Sequence, residues 1–353
     1  PGAGQPGAGA VAAPAAAPGP SLRQVWPAAA VFDVPAIMPD GTTFTPMSIV
    51  DRDTVVGTAS PATGGTYRLL VLGPQHATGA PASTRVLWSH PTDDAPSVDA
   101  MAATASALYW TQSISDAAGR QSLSLWTAGR TGGAPRRLVT EMGPALFQGS
   151  GYDLQAAAGR VYWIVAPHGD GQPTALRSVA ISGGPVRTQA LHADLILSSW
   201  PWLVSSPAAG PGPVDLVNVD TGQRRRVPAP ASQQLTCTPV WCRMVGSNVQ
   251  DATQIVMART DGSRRQRVGN QTSVPAADDP ALLDRFELLA TPEPTTTPAI
   301  VIEQVRLADL DTGRSILLEA GASGASGRGD FVWWSTGNNE ALAWHALDLR
   351  TLH

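Results

Sequence analysis

At 353 residues, with 43% hydrophobic and only 15% charged side chains, the chain has ample material for a buried core and falls outside the disordered class. A formal charge of −4 excludes the basic excess of a general nucleic-acid surface, and the chain has no apolar run of about 20 residues to span a membrane. Gly 35 and Pro 31 together approach a fifth of the residues, which suits a chain that turns often and builds few helices.

Residues 1–20 hold 8 Ala, 5 Gly and 5 Pro, with Gln5 and Val11 as the only others. Such a tract buries no core and reads, over 1–23, as a linker or docking tract ahead of a folded domain at 24–353. A start at Pro1 carries the expectation of a signal peptide or membrane anchor upstream, and an ordered tract would point to a neighbouring protein that holds it. Every Lys-or-Arg position, 24 in all, is Arg, a usage expected of a GC-rich genome.

Gln24–Pro35 is an apolar segment ahead of a first full unit that begins near Phe44. From there one local pattern recurs: a small or turn residue, then an apolar-aromatic pair ending in Trp. Its members are Ala107–Trp110, Arg160–Trp163, Trp200–Trp202, Pro239–Trp241 and Asp330–Trp333, with Asp53–Val56 and Arg285–Leu288 in the same slot. The aligned positions 56, 110, 163, 202, 241, 288 and 333 recur at roughly 46 residues, the period of a propeller blade. After most of these comes an alternating strand, a tight turn and a further strand. Asp220-Thr221-Gly222, Thr260-Asp261-Gly262 and Asp311-Thr312-Gly313 are such turns, where Gly supplies the positive φ a hairpin requires. The last unit runs Phe331–Ser335 and Ala341–Leu349 and leaves no fourth strand before His353. Gln24–Pro35 is therefore expected to supply it, closing the ring and removing a sheet edge.

On these residues the chain resembles the broad class of secreted bacterial seven-bladed β-propellers, with WD-repeat and TolB-like proteins as relatives by shape. The resemblance spans roughly residues 25–353 and is architectural: the Gly-His and Trp-Asp pairs of WD repeats and the Ser-Pro-Asp-Gly turn of TolB-like repeats are absent. The expected fold is all-β, with seven four-stranded antiparallel blades and a ring closed by an N-terminal strand.

Cys237-Thr-Pro-Val-Trp-Cys242 fits a disulfide across a short hairpin, with two free thiols as the alternative. A metal site would need ligands that are not near in sequence. The bridge implies an oxidising, extracytoplasmic compartment: secreted, periplasmic or cell-surface. The Trp series at 110, 163, 202, 241 and 333 reads as packing between blades rather than a stacking platform. Trp200, Trp334 and Trp344 break that register and stand as possible exposed contacts. The clusters Arg136-Arg137, Arg224-Arg225-Arg226 and Arg264-Arg265-Arg267 open outer strands, where edge charges block strand addition. A basic stripe for an acidic protein partner is the other reading of Arg224, Arg225, Arg226, Arg264 and Arg265. Asp309-x-Asp311-x-Gly313 reads as a hairpin tip, not a calcium loop. Among the six His, His76 and the loop His168-Gly169-Asp170 show no metal spacing or nucleophile. No cofactor motif is present.

Two functions follow. One is a non-catalytic extracytoplasmic interaction module, a surface receptor or accessory subunit of an envelope assembly. The other is a propeller enzyme of lyase, glycosidase or quinoprotein type, with its site at the central channel. Carboxylates or His converging at one end of that channel favour the enzyme, and a lining of Ala, Ser, Thr and Val opposes it.

Overall fold

A computed structural model of the chain describes residues 19–61, 63–73, 83–116, 118–166, 173–246, 254–293, 302–338 and 341–353. His76, His168-Gly169-Asp170 and the first 18 residues of the leader lie outside the described residues.

Within the described residues the strands form five four-stranded antiparallel sheets and one seven-stranded sheet. The five are blade 1 (Thr43–Pro91), blade 2 (Met101–Val139), blade 3 (Gln155–Ala190), blade 4 (Leu195–Val227) and blade 5 (Gln233–Val268). The larger sheet is two blades joined through one long strand, Arg314–Arg328. That strand pairs with Glu303–Asp309 as the outer strand of blade 6, up to Ala322. From Ala322 onward it pairs with Phe331–Thr336 as the inner strand of blade 7. Seven blades result.

Every aligned position from Val56 to Trp333 falls on the second strand of its blade. Period-two alternation sends successive residues to opposite faces, and each face meets the next blade, so neighbouring blades share apolar strips. Seven buried clusters fill the seven interfaces. The Trp residues divide between the two faces. Trp110 and Trp163 pack toward the preceding blade. Trp202, Trp241 and Trp333 pack toward the following one. Gly222 and Gly313 close the expected hairpins at φ 71.

The ring is closed by Val31–Val34, which pairs antiparallel with Ala343–Asp348 as the outer strand of blade 7. His345 strengthens the seam: Nδ1 lies 2.7 Å from the Asp33 carboxylate and Nε2 lies 3.0 Å from the Thr336 hydroxyl. Residues just upstream add a second lock. Leu317 N donates to Pro20 O, Ser21 forms a parallel bridge with Leu317, and Leu22 and Trp26 are buried between blades 6 and 7. The described end of the leader therefore docks on the chain's own blade 6, which covers that sheet edge.

Cys237 and Cys242 face each other across the first hairpin of blade 5 and form a disulfide, with Cα atoms 4.1 Å apart. Trp334 and Trp344 are not exposed contacts. Trp334 is 4% exposed between blades 6 and 7, and Trp344 is half-buried with Nε1 donating to Phe44 O. The physical reason is that both faces of a blade are covered. A residue that leaves one strip enters the next interface instead of water.

The arginine rows also differ from a free basic stripe. Arg225 of blade 4 donates to Pro239 O and the Thr260 hydroxyl of blade 5 and lies 5.4 Å from the Trp202 ring centre. Arg264 donates to the Asp311 carbonyl and carboxylate of blade 6. Arg226 lies 3.5 Å from Asp215 on the adjacent strand, while Arg224 and Arg265 remain exposed.

Candidate functional site

Two inner strands leave the channel wall. In blade 3, Ala145 and Leu146 pair with the end of Arg160–Val165, and pairing resumes only at Gln155. Residues 148–153 thereby project from the wall, while Phe147 and Leu154 stay packed between blades 2 and 3. In blade 6, Val274 to Ala276 pair with Leu288 to Ala290, and a bridge forms again at Leu282 with Phe286. Residues 277–281 project in the same way.

The two projections meet across the ring. Ser150 Oγ donates to one oxygen of Asp279 at 2.5 Å, and Gly151 N donates to the other at 3.0 Å. A β-carbon at position 151 would collide with this carboxylate, so glycine is what permits the approach. Arg328, from the first turn of blade 7, donates to Met101 O of blade 2 and Gly151 O of blade 3. The blade 6 projection is held from behind by a buried ion pair, Arg243 and Glu287 at 2.7 Å. Arg243 also donates to Ala277 O and Asp278 O, and Glu287 accepts from Ala281 N. Ala281, Leu283 and Asp284 all sit at positive φ, between 52 and 55. Non-glycine residues adopt that region only where their surroundings impose it.

Three carboxylates, Asp153, Asp278 and Asp279, lie near the Arg328 guanidinium, and Asp278 also feels the Arg243 charge. Burial pushes the Asp153 carboxyl up to about 7, against backbone N–H bonds from Gln148 and Gly149 and the Arg328 charge. Burial likewise raises Asp279 and Asp278. It lowers the Arg328 guanidinium, which the three carboxylates partly restore. Tyr152 is raised by burial and then by Asp279 and Asp284.

Beside this bridge lies a cavity of about 430 Å³, walled by Met101, Tyr152, Gln155, Trp200, Asp279 and Arg328 with strand backbone from blades 1 to 3. Gln155 fixes its far wall, accepting from Trp200 N and donating to Ser198 O, and the Trp200 ring stacks on Tyr162 at 3.8 Å. Such a concave site, with few convergent polar groups and shifted carboxylates, is where ligand binding is expected. Ala102, Ala156 and Val50 also line it, so the lining is mixed. Among the described residues no group of three His, Cys, Asp or Glu is placed to hold a metal.

Of the sequence-derived contact residues, only Trp200 reaches this cavity. Asp153, Asp279, Arg328 and the Ser150-Gly151 pair were not anticipated. Their signal was the uneven repeat: the intervals from Trp110 to Trp163 and from Trp241 to Leu288 exceed those on either side of Trp202, and the excess includes the projections.

The chain is thus a seven-bladed β-propeller with a bridged channel and one cavity at the bridge. Similar architectures occur among solved structures. One is a protein from Listeria monocytogenes, at 9% identity over 82% of this chain and 88% of that one, with a TM-score of 0.52. A puromycin-hydrolyzing peptidase of Mycobacterium tuberculosis is 15% identical over 95% of this chain and 54% of its own, TM-score 0.50. The acylaminoacyl peptidase of Pyrococcus horikoshii is 6% identical over 73% of this chain and 46% of its own, TM-score 0.50. The chain spans about half the length of either peptidase, and at these identities the likeness is one of fold. No protein-family profile and no curated protein matches the chain in sequence.

Proposed function

We propose that the protein is an extracytoplasmic propeller enzyme that acts on a small polar molecule at the mouth of its central channel. One observation carries this reading: Asp279 and Arg328, brought from blades 6 and 7, share the wall of one cavity. A carboxyl whose hold on a proton is raised by burial is suited to proton transfer, and a fixed guanidinium is suited to negative charge that develops on a bound molecule. Asp279 is the acid–base group and Arg328 the charge-stabilising group. The Cys237–Cys242 bridge supports an oxidising compartment. Among the described residues no helix is long and apolar enough to cross a membrane.

The test is mass-spectrometric screening of ester, glycoside and peptide panels with wild type, Arg328→Met and Asp279→Asn. Loss of one charge-stabilising donor lowers turnover roughly 100-fold or more. Turnover that falls so in both variants, with circular dichroism unchanged, supports the assignment. No turnover on any panel, or equal turnover in the variants, defeats it. A second reading, docking on an acidic protein surface, is supported by the exposed Arg224 and Arg265 on neighbouring blades 4 and 5.

A further inference from the structure

A second cleft, of about 340 Å³, opens between blades 3 and 4 on the other side of Trp200. Its blade 3 wall is one row of side chains across the sheet: Tyr162 faces Ser178, which faces Arg187, with Arg160 two residues before Tyr162 on the same face. Trp200 and Asp220 of blade 4 form the opposite wall.

Three features of this row lack an internal explanation. Tyr162 is only 9% exposed, yet its hydroxyl hydrogen-bonds to no described residue. The ring is buried and the hydroxyl lies at the surface of the cleft, open to a ligand. Arg160 is pinned by Ser178, with Nε donating to Oγ and Nη2 to the carbonyl at 3.0 Å each, and its Nη1 donors have no partner among the described residues. Arg187 is exposed and makes no ion pair or hydrogen bond with a described residue. Burial raises the Tyr162 phenol, Arg160 and Arg187 pull it down and Asp220 pushes it up, so all three charges act at that hydroxyl. Two cations stand there with no carboxylate among the described residues paired to either, while Asp220 and Gln189 add polar groups at the rim.

We infer that this cleft is a binding site for an anionic sugar. The carboxylate or phosphate takes the two guanidiniums and the Tyr162 hydroxyl, and the ring hydroxyls take Asp220 and Gln189. A planar guanidinium held on one edge suits bidentate recognition of such oxyanions. An uncharged sugar forgoes the arginines, and a free small anion forgoes the rim.

The test is calorimetric titration of the full chain with D-glucuronate, D-glucose 6-phosphate, D-glucose and acetate. At least one anionic sugar is expected to bind at about 1 mM or tighter. Glucose and acetate are expected to bind at least roughly tenfold more weakly, since charge-assisted bonds are the strong ones. The preference between glucuronate and the phosphate identifies the oxyanion. Arg187→Ala and Tyr162→Phe should each weaken binding roughly tenfold, the scale of one lost charge-assisted or buried hydrogen bond. Arg187 is exposed and Tyr162→Phe keeps the ring, so both variants retain the fold. The inference is overturned if neither anionic sugar binds, if glucose or acetate binds as well, or if both variants bind like wild type. Neither residue lines the channel-mouth cavity, so its turnover is read separately in the same variants.

Discussion

The Arg243–Glu287 pair behind the channel bridge gives a sharp test of how that bridge is held. Arg243→Met keeps most of the aliphatic stem and removes the guanidinium, with its 2.7 Å contact to Glu287 and its bonds to Ala277 O and Asp278 O. Glu287, whose side chain is 0% exposed, is then a buried charge with one remaining donor, Ala281 N at 3.0 Å. Breaking a buried pair from one side costs about 3–5 kcal/mol, because the surviving charge loses its partner and gains no water. Two orphaned carbonyls place the expected loss near the upper end, about 5 kcal/mol. Removing both charges as Arg243→Met/Glu287→Leu should recover most of this, to within about 2 kcal/mol of wild type. The second substitution is thus expected to recover about 3 kcal/mol of the loss. Urea unfolding followed by tryptophan fluorescence, under non-reducing conditions, measures all three proteins. A single variant that loses under about 1 kcal/mol would show that the pair does not hold the projection. A double variant as unstable as the single one would show that burial of charge is not the cause.

Asp153 makes stability depend on pH with a definite sign. Its folded-state carboxyl is pushed by burial up to about 7 from an ordinary 3.8, so the folded state binds the proton more tightly. Stability from this group is complete below about pH 4 and falls as pH rises toward about 7. In Asp153→Asn the urea midpoint should fall less across that window, and an unchanged slope refutes the assignment. Replacing both Cys237 and Cys242 by Ser should cost roughly 2 kcal/mol, the value for so short a closed loop. The sequence separation is 5. Reductant should lower the wild-type midpoint to that of the double variant, whereas equal midpoints with and without reductant reject a native bridge. Trp26→Ala empties a site where the indole meets Phe286 edge-on at 5.9 Å, and should cost about 3–5 kcal/mol. Hydrogen exchange should rise most in blades 6 and 7, and a uniform rise would argue against the leader as a local lock.

Period and hairpin chemistry carried the fold because both are local. An Asp-Thr-Gly turn or an alternating Val-Tyr-Trp strand acts over a few residues, and seven repeats average out individual exceptions. The closing strand was legible for a related reason: a blade short of one strand at one end and an apolar segment at the other leave one economical pairing. The site was not legible, because Ser150 and Asp279 come from different blades and meet only through three-dimensional closure of the ring. No local spacing encodes a contact across a channel. The misplacement of Trp334 has a different cause. Trp334 breaks the register that its neighbour Trp333 keeps, and leaving the packed register reads as exposure. In a single half-exposed sheet that inference holds. In a blade flanked on both sides, alternation chooses between two cores.

The arginine rows show how one residue type meets two demands. Arg85 of blade 1 reaches the carbonyls of Gly129, Arg130 and Gly133 in blade 2, and Arg136 of blade 2 reaches Ile181 O of blade 3. Arg225 and Arg264 repeat the pattern toward blades 5 and 6. A guanidinium offers several donors in a fixed fork, so one side chain satisfies several hairpin carbonyls while it also keeps a strand edge charged; an ammonium on a flexible stem does this less well. These ties join nearest neighbours only, and a repeat ring held that way would behave as a chain of pairwise interfaces. The Ser150–Asp279 and Arg328–Met101 bonds add contacts across the diameter. Blades 2, 3, 6 and 7 therefore share one set of buried charges beside the cavity. A molecule bound against Asp279 and Arg328 alters a tie common to those four blades, so its binding energy is felt by the ring and not by one interface alone.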